Sequence, residues 1–331
     1  MLRPPEMNIE TTPRVSVLIP MYNAESHIIS TLYSILQEKD IPIEVVIIND
    51  KSTDLSLKKV LGIRDDRIRV IDGPGNGISA CMNAGLTLAK GDILMRCDAD
   101  DQYPAGRIRI QTDWLDANPE YSAVCGGFSA MDDKGGLAVR LATGDAMEEI
   151  TGELNAGKTR THLCTFGLRR SVLNSFEGFR SYFVTAEDID FQLRLAEHGK
   201  IMYLPHCFYS YRLHDASITH TQGNIKREFF ESTARLFQSQ RQVAGQDDLQ
   251  LGRAPIPPEE AADNPGSAAK QLQGILTGAA WNEHINGNKF NAIALGFRAL
   301  SQAPFDPKIW RNFVALIVKS VNKITPDQRH E

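Results

Sequence analysis

Three carboxylates stand together in Asp98-Ala-Asp-Asp101, directly after the apolar run Ile93-Leu94-Met95. Carboxylates gathered at the end of a buried strand repel one another, and burying them unpaired is costly. A hard divalent cation resolves that conflict, and it also binds phosphate oxygens. The pattern points to a metal held against a phosphorylated ligand. The alternative is a polar loop in which one aspartate caps a helix starting near Pro104.

A second acidic cluster, Glu187-Asp188-Ile-Asp190, opens a helix whose apolar positions are Ile189, Leu193 and Leu195. Acids in a first helical turn complement the helix dipole, so capping alone would account for them. A carboxylate there could equally serve as general base toward an acceptor hydroxyl. Tyr211-Arg-Leu-His214 ends a strand. Its imidazole can complete a site of carboxylates and phosphates, and Arg212 can grip either group bidentately.

Two other motifs are set aside. Gly73-Pro-Gly-Asn-Gly77 sits on the third strand-to-helix turn, its spacing is wrong for G-x-G-x-x-G, and Pro74 removes an amide from the would-be cradle. It reads as a glycine-rich loop passing close to a ligand rather than a dinucleotide site. A nucleophilic Asp98, as in aspartyl-phosphate chemistry, would belong on the first strand, which here ends in Pro20-Met-Tyr-Asn23.

The elements that must position these residues alternate. Strands are predicted over 15–19, 44–48, 68–71 and 93–97, and helices over 26–37, 54–61, 78–88 and 104–118. Near-continuous Val/Ile strands between amphipathic helices imply a parallel sheet covered on both faces, wound with right-handed crossovers. Such sheets bind ligands at the carboxyl ends of their strands. Here those ends are 20–22, 49–50, 72–73 and 98–101, all polar or turn-forming. The pattern becomes mixed from Ser122, with strands expected over 122–128, 163–168, 201–204 and 208–213 and a helix over 186–198. After Gly223 the signal is helical: one helix over 225–243, a Gln/Pro/Glu-rich linker at about 244–267, then two or three helices broken at Gly287 and at Pro304-Phe-Asp-Pro307. The small residues of that tail resemble a single tetratricopeptide unit.

Composition narrows the class. The 331 residues allow one large domain with an appendage or two domains, and the net charge of −5 argues against a broad nucleic-acid or anionic-membrane surface. Five scattered cysteines without a C-x-x-C pair fit buried thiols in a reducing compartment. Neither a signal peptide nor a membrane-spanning apolar run is evident. The expectation is a cytoplasmic protein, with peripheral contact at the inner membrane face left open.

Six segments, in order, resemble the family-2 inverting glycosyltransferases of the GT-A fold: Val15–Asn23, Val45–Asp54, Gly77–Gly85, Ala89–Asp101, Ala186–Asp190, and Tyr211–His214 with Ser217. The resemblance covers roughly 14–220. It implies an α/β, Rossmann-like open mixed sheet flanked by helices, with a C-terminal helical extension. The glycosyltransferase domain would occupy 1–222, divided into nucleotide-binding 14–120 and acceptor-binding 121–222, and the extension 223–331.

By position, the resemblance implies that Pro20, Tyr22, Asn23 and Asp50 bind the nucleotide base, with Asp98 and Asp100 on the ribose, sugar and diphosphate side. Asp100, Asp101 and His214 would hold Mn²⁺ or Mg²⁺. Asp188, with Glu187 beside it, would deprotonate the acceptor. The implied donor is a nucleotide-diphosphate sugar, UDP-linked by first choice, and the acceptor a saccharide or lipid-linked saccharide in surface polysaccharide synthesis. The helical tail would dock a partner, form a homo-oligomer or approach lipid. A sugar-phosphate nucleotidylyltransferase would need a Gly-rich basic first loop, which 20–23 lacks, and a non-catalytic binding protein would have lost the carboxylates. Two departures stand out: the usual Asp-Asp-Gly-Ser turn is Asn49-Asp-Lys-Ser52, and the basic residue often preceding Asn83 is Met82.

Overall fold

The structure, a computed structural model, describes residues 12–141, 144–214, 224–258, 268–302 and 304–319. Its first half is the expected alternation: β1 (Val15–Met21), α1 (Ile28–Leu36), β2 (Ile43–Asn49), α2 (Ser56–Leu61), β3 (Ile68–Asp72), α3 (Ile78–Leu88), β4 (Ile93–Arg96) and α4 (Arg107–Ala117). These four strands are parallel, with Met21 opposite Asn49, Asn49 opposite Asp72, and Leu18 opposite Arg96. All four carboxyl ends therefore reach one edge of the sheet. Val15, Val17, Ile19 and Val45 to Ile48 are fully buried, each side chain worth about 1.5–3 kcal/mol by removal from water.

The second half is antiparallel and departs in detail from expectation. β5 (Tyr121–Met131), β6 (Leu137–Leu141), β7 (Glu148–Glu149), α5 (Thr151–Asn155), β8 (Gly167–Arg169), α6 (Glu187–His198) and β9 (Lys200–Arg212) follow. The strand order is β3-β2-β1-β4-β8-β5-β9-β7, with β6 on β5. The strand expected over 163–168 is instead a 3₁₀ turn, Leu163–Thr165, followed by the short β8. The turn forms because its carbonyls are claimed by side chains: Arg107 donates to Cys164 O and Phe166 O, and Gln111 to Thr165 O. The two strands expected over 201–213 are one, uninterrupted at Pro205. β9 passes so close to Gly126 that a Cβ there would sit 2.5 Å from Phe208 Cδ2 and 2.7 Å from His206 O.

The chain groups into two compact units. The first comprises 1–127, 143–209 and 230–256, and the second 128–142, 210–229 and 257–331. In the first, most of α7 (Asn224–Ala244) and the segment after it are fastened by charge: buried Asp247 accepts from Arg180 and Arg241. Of the stretch expected as a linker, 245–256 thus packs in this unit, while 259–267 lies outside the described residues. In the second unit, Asp132 closes the β5–β6 turn by accepting from Gly136 N, and Arg212 donates to Asp132 O and Asp133 O. Ala130, Val139 and Leu213 pack with Leu272, Leu276 and Ala299 of α8 (Ala268–Ile285) and α9 (Lys289–Gln302). Gly296 lets α10 (Pro307–Val318) approach, since a Cβ would sit 2.7 Å from Leu316.

Candidate active site

The loops after β1 and β2 are knitted into one ledge. Asn23 accepts at Oδ1 from Thr53 N at 2.8 Å, and its own amide donates to Ser52 Oγ at 3.1 Å. Asn23 and Lys51 both adopt left-handed backbone, φ 47° and 63°, a conformation Asn tolerates better than Lys. Pro20 is half-buried at the end of β1, and Tyr22 is 61% exposed beside it. Asp50 is held from three directions: its amide donates to Met21 O, Gly75 N donates to its Oδ1 at 2.6 Å, and Gly73 lies so near that a Cβ would stand 2.8 Å from Oδ1. Cys81 bonds to it as well. Burial, with that bond second, pushes the Cys81 thiol up to about 12, so it remains a neutral donor. The glycine-rich loop thus wraps the Asp50 carboxylate.

The Asp98–Asp101 turn follows β4. Asp98 N donates to the Tyr209 hydroxyl at 3.0 Å, and that hydroxyl donates to Asp101 Oδ2 at 2.6 Å. Asp101 is 1% exposed; its carboxylate is committed to holding the turn against β9. Asp98 and Asp100 remain half-buried. Cys164 Sγ donates to Asp98 Oδ2 at 3.6 Å; burial pushes this thiol up, and the Asp98 charge adds to the effect.

Arg96 connects this turn to the second acidic cluster. Its Nε donates to Asp98 Oδ1 at 2.8 Å and its Nη1 to Glu187 Oε1 at 3.1 Å. Glu187 is buried at the first turn of α6, while Asp188 next to it is half-buried. Burial raises the Glu187 carboxyl, Arg96 opposes this, and the Asp188 charge raises it further. The helix begins after Ala186, in left-handed backbone at φ 57°, and its first residue, Glu187, reaches Arg96 of β4.

What fixes α6 was not read from the sequence. Asp190, fully buried, is gripped by Arg180 and Arg194, so it serves the scaffold. Asn83 on α3 clamps the approach to the helix: its amide donates to Phe179 O and its Oδ1 accepts from Phe179 N, both at 2.7 Å. Gly178 admits that clamp, since a Cβ would fall 2.3 Å from Asn83 Oδ1. Asn83 stood in a matched segment, but only the fold reveals its partner 96 residues away. Met82 is buried, so α3 offers no cation where a basic residue often stands.

The expected site residues therefore divide. Pro20, Tyr22, Asn23 and Asp50 form one ledge; Asp98 and Glu187 share Arg96, with Asp188 adjacent in sequence; Asp101 is turned inward. His214 follows β9, half-buried, in the second unit. Among the described residues no three His, Cys, Asp or Glu side chains form a metal cage. Asp98 and Asp100 are nevertheless hard oxygen donors, the set that suits Mg²⁺ or Mn²⁺ when phosphate and water complete the shell.

Comparison with known proteins bears on the family and the fold. Residues 16–176 match Glycosyl transferase family 2. The putative glycosyltransferase EpsE of Bacillus subtilis (strain 168) is 30% identical over 195 residues, covering 56% of this chain and 68% of that protein. A chondroitin synthase of Pasteurella multocida (strain Pm70) is 28% identical over 68% of this chain, and a hyaluronan synthase of Pasteurella multocida 29% over 63%. The chain spans 23% and 21% of those two synthases. Among solved structures, S. aureus TarS 1–349 in complex with UDP-GlcNAc superposes with a TM-score of 0.57 at 19% identity, covering 88% of this chain and 82% of that one. That likeness establishes the GT-A fold, and the sequence matches lead to one conclusion: the chain belongs to glycosyl transferase family 2.

Proposed function

We propose that the chain is a glycosyltransferase that moves a sugar, with inversion, from a nucleoside-diphosphate donor to an acceptor hydroxyl in the synthesis of a surface polysaccharide. The observation that carries the reading is the Arg96 bridge. By bonding both Asp98 and Glu187, it ties the turn after β4 to the first turn of α6, which supports reading them as one site.

Each group then has a role. The exposed ring of Tyr22 offers a face to a base, and Asp50 a charged acceptor for a ring N–H. Asp100 and Asp98 would hold Mn²⁺ or Mg²⁺, with Asp101 the less accessible candidate; such an ion neutralises charge on a leaving diphosphate. Asp188 takes the proton from the acceptor oxygen as that oxygen attacks the anomeric carbon. Glu187, bonded to Arg96, aligns the helix end rather than reacting. A single base opposite the leaving group suffices for in-line displacement with inversion, whereas hydrolysis uses two carboxyl groups.

The donor class is supported by TarS, whose structures include complexes with UDP and UDP-GlcNAc, and UDP-sugars are the first choice. The chondroitin and hyaluronan synthases support a polysaccharide product, with a saccharide or lipid-linked saccharide as acceptor. A thermal-shift panel of nucleotide-diphosphate sugars, with and without Mn²⁺, tests this. A metal-dependent rise in Tm with one or a few UDP-sugars is expected; no rise with any donor contradicts it.

A further inference from the structure

The C-terminal helices carry an apolar surface that the catalytic reading does not use. On α10, Ile309 and Leu316 are buried, whereas Trp310, Val314, Ile317 and Val318 are exposed, Val318 to 74%. Their spacing of i, i+4, i+7 and i+8 places them on one stripe. On α9, Phe290 is 92% and Phe297 61% exposed. The rings of Phe297 and Trp310 both lie against Phe313, at 6.2 and 6.5 Å between centroids, so the stripes of the two helices join. Phe305, in the turn between them, is 95% exposed. A contiguous apolar patch of this kind marks an interaction surface rather than ordinary scatter.

The charge of the same helices points to the kind of partner. Over 289–319 there are five basic residues, Lys289, Arg298, Lys308, Arg311 and Lys319, against the single acid Asp306, in a chain whose net charge is −5. A symmetric pairing of two copies through this patch would set that basic cluster against itself. An aromatic and aliphatic stripe on helices with an excess of Lys and Arg has the composition of a segment lying in a bilayer interface. Among the described residues no helix is long and apolar enough to cross a membrane, so this surface would rest on one leaflet.

We propose that the α9–α10 face binds the surface of an anionic phospholipid bilayer, its apolar stripe entering the headgroup boundary and the basic side chains of the same helices drawing it to the lipid phosphates. The inference is independent of the identity of donor and acceptor.

The test is co-sedimentation of the full chain with vesicles of phosphatidylcholine alone or mixed with phosphatidylglycerol. Binding to the mixed vesicles, weakened by salt and much reduced on phosphatidylcholine alone, is expected. The double substitution Lys308→Gln/Arg311→Gln should lower partitioning by roughly 30-fold, and Val314→Asp/Val318→Asp should abolish it. All four positions are exposed, so both variants should keep the parent's circular dichroism and Tm; should the Asp variant unfold, the Gln variant still decides. No binding to either vesicle, or binding indifferent to lipid charge, overturns the proposal. Self-association that Val314→Asp removes, without vesicle binding, would assign the face to a second copy instead.

Discussion

Arg96 Nη1 donates to Glu187 Oε1 at 3.1 Å, although 91 positions separate the two residues. Both side chains are nearly buried, at 8% and 9% exposure. The same guanidinium holds Asp98, and burial is outweighed by these carboxylates, which raise the Arg96 pKa well above its usual value. A fixed positive charge thus stands between the turn expected to carry the donor and the helix end expected to carry the base.

Removing that charge should cost both stability and turnover. Arg96→Met leaves a buried carboxylate uncompensated, a loss of about 3–5 kcal/mol. Urea denaturation should show it, with a fall in kcat larger than any change in donor affinity. Unchanged stability and turnover would mean the bridge is incidental.

Glu187 should leave a signature in the pH dependence of folding. A carboxyl raised above its ordinary 4.5 in the folded state contributes stability that is fully present below 4.5 and is lost as pH rises through the folded value. Glu187→Gln should therefore flatten the decline in urea midpoint over that window. An identical pH profile for variant and parent would remove this carboxyl from the linkage.

Asp188→Asn should separate chemistry from binding. It removes a base while conserving shape, so transfer should fall by about 10²–10⁴-fold, with calorimetric affinity for UDP nearly unchanged. Normal turnover would take Asp188 out of the mechanism.

Asp190, two residues on, should behave oppositely. It compensates Arg180 and Arg194 in the buried interior, so Asp190→Ala should destabilise by about 3–5 kcal/mol. Activity would be lost through unfolding and recovered in part at low temperature. A fully stable but inactive variant would contradict the scaffold role.

Gly126→Ala should reveal the close passage of β9. Its Cβ would meet two backbone oxygens, at 2.7 and 2.9 Å, as well as a ring carbon at 2.5 Å. Overpacking of this kind costs about 1–3 kcal/mol. A neutral effect on Tm would show that β9 can move aside.

The amino-acid sequence by itself determined the alternation of β1–α1 through β4–α4, because buried parallel strands are written as Val/Ile runs and their ends as polar turns. It also placed Tyr22, Asp50, the Asp98–Asp101 cluster and Glu187-Asp188 at element ends, where chemistry can be delivered. Tertiary structure decided which acids do which work. Asp100 and Asp101 are neighbours in the chain, yet Tyr209, 108 positions beyond Asp101, turns Asp101 into a strut. Glu187, Asp188 and Asp190 share one helical turn, yet Arg96 claims the first and Arg180 with Arg194 the third. The reason is physical: local patterns are set by periodicity over a few residues, whereas the state and partner of a carboxylate depend on charges and burial delivered by distant strands.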